Sequence, residues 1–160
     1  MNLVTAKMTS DDDGAAVTFA GHRLAIPESV VHAKPEIKAF FGRDVILGIR
    51  PSDFEDARLT DESWPRMPVV THMTEALGSE IHVIFAIDAP PVEHKDLADL
   101  VPEQEEEGSA SSLFDGKSLW TARVNARSPV RVGDRIELGV DTRNLHFFDP
   151  DSGLAIEGTK

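Results

Sequence analysis

Short alternating runs of apolar and polar residues recur along this chain at spacings of about ten, with turn residues between them. "LVTAKMT" leads into Asp11-Asp12-Asp13-Gly14, a turn signal, and "AAVTFAGHRLAIP" follows as a second strand. The two predict a hairpin. "DVILGIRP" is a nearly continuous apolar run, as expected of a strand covered on both faces. "PVVTHMTEALGSEIHVIFAID" predicts a long hairpin turning at Gly78-Ser79, and a two-residue turn there places Glu75 opposite His82 and Met73 near Ile84. Strands resume at "SLWTARVNA", "RIELGVD", "LHFFD" and "LAIEG", separated by Gly133-Asp134 and by Pro150-Asp151-Ser152-Gly153.

Helical signals are few. In "KPEIKAFFG", Pro35 suits the first helical position, Ile37, Phe40 and Phe41 share a face, and Gly42 suits the stop. Many short strands, little helix and regular turns predict an all-β fold, a small barrel or sandwich. "PPVEHKDLADLVPEQEEEGSASS" breaks the pattern with a helical turn or two followed by a tract too charged to bury. Residues 93–116 therefore read as an insertion into one domain spanning residues 1–160.

Composition narrows the function classes. At 160 residues and 41% hydrophobic, the chain can bury one ordinary core. It lacks an apolar run long enough to cross a membrane as a helix, and "MNLVTAKMTS" has no secretory pattern. With no cysteine, disulfides and thiolate metal sites are excluded, as suits a cytosolic protein. The net charge of −12 opposes nucleic acid and anionic lipid as partners. Residues 93–107 hold seven acids against one base, half of that net charge.

The candidate chemistry is weak at each point. Gly116-Lys117-Ser118 matches the end of a phosphate-binding loop, but Ser111 stands where its first glycine belongs, and strand periodicity follows where a helix is required. "TSDDDGAA" resembles a calcium loop, yet Thr9 takes the first ligand position and Ala20 the twelfth. Asp149-Pro150-Asp151 is turn chemistry. The six histidines (His22, His32, His72, His82, His94, His146) show no metal-ligand spacing, and no nucleophile elbow occurs. No catalytic, cofactor-binding or metal-ligating residue is assigned.

"DVILGIRPSDF" resembles a stretch in the C-terminal regulatory domain of ATP-binding subunits of bacterial sugar importers, the ABC transporters of the maltose-importer type. The opening "MNLV", the hairpin "VVTHMTEALGSEIHVIFAI" and the closing "VRVGDRIELGVDTRNLHFFDPDSGLAI" are similar to that family in order and spacing. The resemblance implies an oligonucleotide-binding-fold (OB-fold)-like barrel, often called TOBE, and a regulatory and dimerisation role that biases the ATPase cycle. The implied partners are the subunit's own nucleotide-binding domain, a second copy, the membrane permease subunits and, in some members, a regulatory protein. The implied location is the cytoplasmic face of the membrane.

The P-loop, the "LSGGQ" segment and the Walker B aspartate of such a subunit are absent from these residues, so ATP and Mg²⁺ would belong to a domain not present here. The chain is then a truncated piece or a freestanding relative.

The motif residues to follow are Gly48, Arg50, Pro51, Gly78, Gly133, His146, Phe147 and Phe148. Gly48 is expected to permit close backbone approach, Arg50 to bond a carboxylate such as Asp53 or Asp149, and Pro51 to end its strand. Phe147 and Phe148 are expected to pack in the core or at an interface. A second function class is a freestanding oxyanion (molybdate-like) binding module, weakened by basic residues dispersed along the sequence. Single-stranded nucleic acid binding is opposed by the acidity and by 6% aromatics.

Overall fold

The structure, a computed structural model, describes residues 1–92 and 116–156. The insertion expected at 93–116 lies outside the described residues except for Gly116. Among the described residues ten strands form two antiparallel five-stranded sheets. In chain order they are β1 (Asn2–Asp11), β2 (Gly14–Phe19), β3 (His22–Ala25), β4 (Asp44–Ile49), β5 (Phe54–Asp56), β6 (Arg66–Ala76), β7 (Glu80–Ile87), β8 (Ser118–Asn125), β9 (Arg135–Val140) and β10 (His146–Phe148). The first sheet runs β10-β4-β1-β2-β3 and the second β5-β9-β6-β7-β8. The fold is all-β and OB-fold-like.

The hairpins follow their local signals. Asp11 pairs with Gly14 across the β1–β2 turn, and the Asp13 amide donates to Asp11 Oδ1 at 2.8 Å. In the β6–β7 hairpin Glu75 faces His82 and Met73 faces Ile84, as the two-residue Gly78-Ser79 turn predicts. The register shifts between Thr71 and Met73, so His72 is the extra residue of a bulge, and beyond it the side chains of β6 turn towards solvent.

Three expectations are corrected. Residues 15–27 are not one strand, because Ala20 (φ 48°) and Gly21 (φ 81°) make a tight turn that pairs Phe19 with His22. Ala-Gly is a poor turn signal, but folding back puts Val17 opposite Leu24, both fully buried. The segment Pro35–Phe40 is a 3₁₀ helix, and a true helix, α1 (Glu28–Ala33), precedes it. Pro35 has no N–H and constrains Lys34, so α1 stops there and a tighter turn restarts. The strand expected at 154–158 is reduced to a single bridge, Phe148 to Ala155, within the described residues. The three-residue β5 has no signal in the sequence pattern, because "FED" is too short to show a period.

The second sheet curls until its edge strands β5 and β8 meet, and side chains close the seam. Glu55 Oε1 accepts from the Asn125 amide at 2.9 Å. Asn2, at the start of β1, donates from Nδ2 to the Thr121 carbonyl at 2.8 Å and accepts from the Thr121 amide at 3.0 Å. Its amide group thus substitutes for a neighbouring strand at the free edge of β8.

One continuous apolar cluster draws on both sheets. At its centre Trp120 of β8 is 1% exposed and meets Phe19 at 5.6 Å, Phe85 at 6.3 Å and Phe54 at 6.4 Å between ring centroids. β4 is covered on both faces. Val45, Leu47 and Ile49 enter the main core, while Ile46 joins Leu3 and Phe148 in a smaller cluster behind the sheet.

Candidate functional site at the end of β4

The motif residues fall into two groups. Gly48, Arg50, Pro51, His146, Phe147 and Phe148 converge where β4 meets β10, with His146 opposite Gly48 and Phe147 opposite Leu47. Gly78 and Gly133 occupy turns in the other sheet, with the Gly133 amide donating to the Thr71 carbonyl at 2.7 Å.

Gly48 lies in a crowded place. A Cβ there would stand 3.2 Å from Phe148 Cε2 and 3.3 Å from Leu3 Cδ2, and would collide with the Met1 sulfur. Absence of a side chain lets the smaller cluster close over β4. Phe148 is buried in that cluster, whereas Phe147 is buried in the main core with the Lys34 ammonium 5.9 Å from its ring centroid.

β4 ends at Ile49, and Pro51-Ser52-Asp53 forms a 3₁₀ turn in which the Asp53 amide donates to the Arg50 carbonyl at 2.9 Å. The Asp53 carbonyl then accepts from the Asp141 amide at 2.8 Å, joining this turn to a second one, Thr142–Asn144. Asp141 receives Arg143 through two guanidinium bonds, Nε at 2.8 Å and Nη2 at 2.9 Å. Those bonds hold its carboxyl below the usual range.

Asn144 Nδ2 bridges the two acids, donating to Asp53 Oδ1 at 3.3 Å and to Asp141 Oδ2 at 3.2 Å. Asp53 is only 9% exposed, and its Oδ2 has no hydrogen-bond partner. Burial, with repulsion from Asp141, pushes its pKa up against the pull of Asn144 and Arg50.

Arg50 itself is exposed, and it makes no ion pair with Asp53 or Asp149 among the described residues. Asp149 instead accepts from the amides of Asp151 (2.8 Å) and Ser152 (3.4 Å), as its turn requires. Arg50 therefore acts on its surroundings through space. It helps to lower the pKa of half-buried His146, after burial and together with Lys34.

These groups surround an open cleft of about 370 Å³ lined by Lys34, Arg50, Asp53, Arg143, Asn144 and His146. Residues from three distant parts of the sequence thus share one wall, which neither periodicity nor motif spacing signals. Neither carboxylate is presented for proton transfer, since Asp141 is clamped by Arg143 and the second oxygen of Asp53 is covered.

Elsewhere, Gly116-Lys117 leads into β8, which begins at Ser118, and the Ser118 hydroxyl donates to the Ala89 carbonyl at 2.9 Å. A strand follows, so these amides are not arranged as in a phosphate-binding loop. Glu80 is shared by Arg123 and, at 3.7 Å, by His82, and no group of three or more metal-ligating side chains occurs among the described residues.

The comparisons agree with this architecture. Residues 1–54 match the family model of the MalK OB fold domain. The chain is 34% identical over 162 aligned residues to the trehalose import ATP-binding protein SugC of Mycobacterium tuberculosis, covering 96% of this chain and 37% of that protein. It is 27% identical to the oligosaccharides import ATP-binding protein MsmX of Bacillus subtilis (98% and 34% covered). To an sn-glycerol-3-phosphate import ATP-binding protein, UgpC 2, of Agrobacterium fabrum it is 29% identical (98% and 31%). The chain thus spans about a third of the length of the relatives it matches. Over nearly its whole length it is similar to part of the ATP-binding subunits of sugar-import ABC transporters, and its first third matches their MalK-type OB-fold domain.

Proposed function

We propose that this chain is the C-terminal regulatory and dimerisation domain of the ATP-binding subunit of an ABC carbohydrate importer. It biases the ATPase cycle and does not itself hydrolyse ATP. The observation that carries this reading is the alignment with sugar-import ATP-binding proteins across 96% of the chain but only 37% of such a protein. On this reading residues 1–160 are a single domain with an acidic insertion at 93–116, and the nucleotide-binding domain, with its ATP and Mg²⁺, lies in the remainder of the subunit. The complex works at the cytoplasmic face of the membrane with permease subunits, a second copy of the subunit and, where one exists, a regulatory protein.

The physical logic is population shift. A contact made better in one arrangement of the two subunits favours that arrangement by the difference in affinity, typically about 1–3 kcal/mol, or roughly 5- to 150-fold. The outer face of β6, β7 and β8 supports a self-contact. Val70 and Met73, 42% and 57% exposed, stand there beside Ile84, Ala86 and Leu119, which point away from the core.

The test compares the assembled transporter with and without the change Met73→Asp. Transport-coupled ATP turnover should change, and sedimentation of the isolated chain should show weaker pairing. Unchanged turnover together with unchanged sedimentation would refute the dimerisation role. ATP hydrolysis by the isolated chain that is abolished by Lys117→Ala would refute the noncatalytic one.

A further inference from the structure

The cleft at the end of β4 has a composition that its neighbours in the fold do not use. Lys34, Arg50 and Arg143 bring three cations to one wall of a protein whose net charge is −12. Arg143 is already paired with Asp141 and the Lys34 ammonium donates to the Leu145 carbonyl at 3.2 Å, while Asp53 lies beneath the surface at 9% exposure, so Arg50 and Lys34 are the cations left to face the cleft. The Arg50 guanidinium is exposed and makes no hydrogen bond or ion pair among the described residues. Half-buried His146 is held towards its neutral form, so its ring offers one donor and one acceptor. Asn144 directs its Nδ2 to the two acids, which leaves its amide oxygen as a further acceptor.

A positive wall with hydrogen-bonding groups beside it suits a ligand carrying both an oxyanion and hydroxyls. The volume, about 370 Å³, exceeds what a bare oxyanion fills and falls within the range of small-molecule sites. We infer that this cleft binds a small phosphorylated sugar or polyol, with the phosphate against Arg50 and Lys34 and the hydroxyls against Asn144 and His146. The phosphate gives the exposed Arg50 a counter-charge, and the ligand bridges the end of β4 to the Asp141–Leu145 segment. This reading is independent of the dimerisation role. It concerns a different face of the molecule from Met73, so either one can fail while the other stands.

The test is isothermal titration of the 160-residue chain with glucose 6-phosphate at about 150 mM salt, with inorganic phosphate and glucose as comparison ligands. Glucose 6-phosphate should bind more tightly than either comparison ligand. Arg50→Gln should weaken it roughly 10- to 100-fold, the loss expected for one charge-assisted hydrogen bond. Arg127→Gln, on an exposed loop after β8, should leave it unchanged. Circular dichroism establishes that both variants remain folded, and amide chemical-shift changes should centre on Arg143–His146.

No binding at 10 mM ligand, taken as roughly the weak end of small-molecule affinity, overturns the inference. So does equal binding of inorganic phosphate or glucose, equal loss in the two variants, or shift changes centred elsewhere.

Discussion

Replacing Asp56 by alanine removes the carboxylate that ties three segments together at the foot of the barrel. Asp56 ends β5 at 1% exposure. It accepts from the Arg58 amide and Nε, each at 3.0 Å, from Arg58 Nη2 at 2.7 Å, and from the Ser128 hydroxyl at 2.5 Å. Arg58 is 56% exposed in its side chain, so water replaces the lost partner and the missing pair costs at most about 1 kcal/mol. Ser128 is buried, and its hydroxyl loses its only acceptor among the described residues, at about 1–3 kcal/mol. Removing the charge also removes its own burial cost, so the sum comes to about 1–3 kcal/mol. For a chain of this length that lowers Tm by roughly 2–12 °C.

Urea unfolding of wild type, Asp56→Ala, Ser128→Ala and the double variant measures the effect. The double variant should cost less than the two single changes together, because the orphaned hydroxyl is gone. An Asp56→Ala loss under about 0.5 kcal/mol, within the usual scatter of surface changes, would refute the reasoning.

pH supplies a second check. Burial works against ionisation of Asp56, but the hydrogen bonds from Arg58 and Ser128 and the Arg58 charge outweigh it and hold the carboxyl below its ordinary value. A depressed acid stabilises the fold above its unfolded pKa, about 3.9, and that stabilisation is lost as pH falls through the lower folded value. The gap between wild type and Asp56→Asn should therefore be full at neutral pH and close in acid.

Three further outcomes are expected. Gly48→Val should destabilise by about 1–3 kcal/mol, read as a lower Tm, because its Cβ meets Phe148, Leu3 and Met1 together; a Tm equal to wild type contradicts the close approach. Asn2→Ala should raise the hydrogen-exchange rate of the Thr121 amide, which donates to Asn2 Oδ1, while leaving β7–β8 amides such as Val83 protected; unchanged exchange at Thr121 refutes closure of the seam by this side chain. Asp53 has a raised pKa, so its ionised form costs stability above the unfolded value, and that cost fades as pH falls to about 4. Thermal melts should accordingly move in favour of wild type over Asp53→Asn between pH 7 and 4, and a constant difference would contradict the burial argument.

Much of the architecture is legible in local patterns. The strand β8 is written in the alternation of Trp120, Ala122 and Val124 with Leu119, Thr121 and Arg123, and the first set is buried. The register of β6 and β7 follows from a two-residue turn, because loop length and the period of two leave one pairing that buries Val83 and Phe85 together. The continuous apolar run of β4 announces burial on both faces, since no polar residue interrupts Val45–Ile49.

Features that depend on distant segments are not written locally. Closure of the barrel rests on Asn2 meeting Thr121 and on Glu55 meeting Asn125, and a single polar side chain at a strand edge has no periodic signature. The cleft gathers Lys34, Arg50 and the residues from Arg143 to His146, which look like scattered charges until β10 pairs with β4. Local chemistry sets which segments extend and where they turn, because those choices depend on neighbours a few residues away. Long-range packing alone sets which strand ends meet, because burying both sheets in one core leaves each polar end only the partners that curvature brings to it.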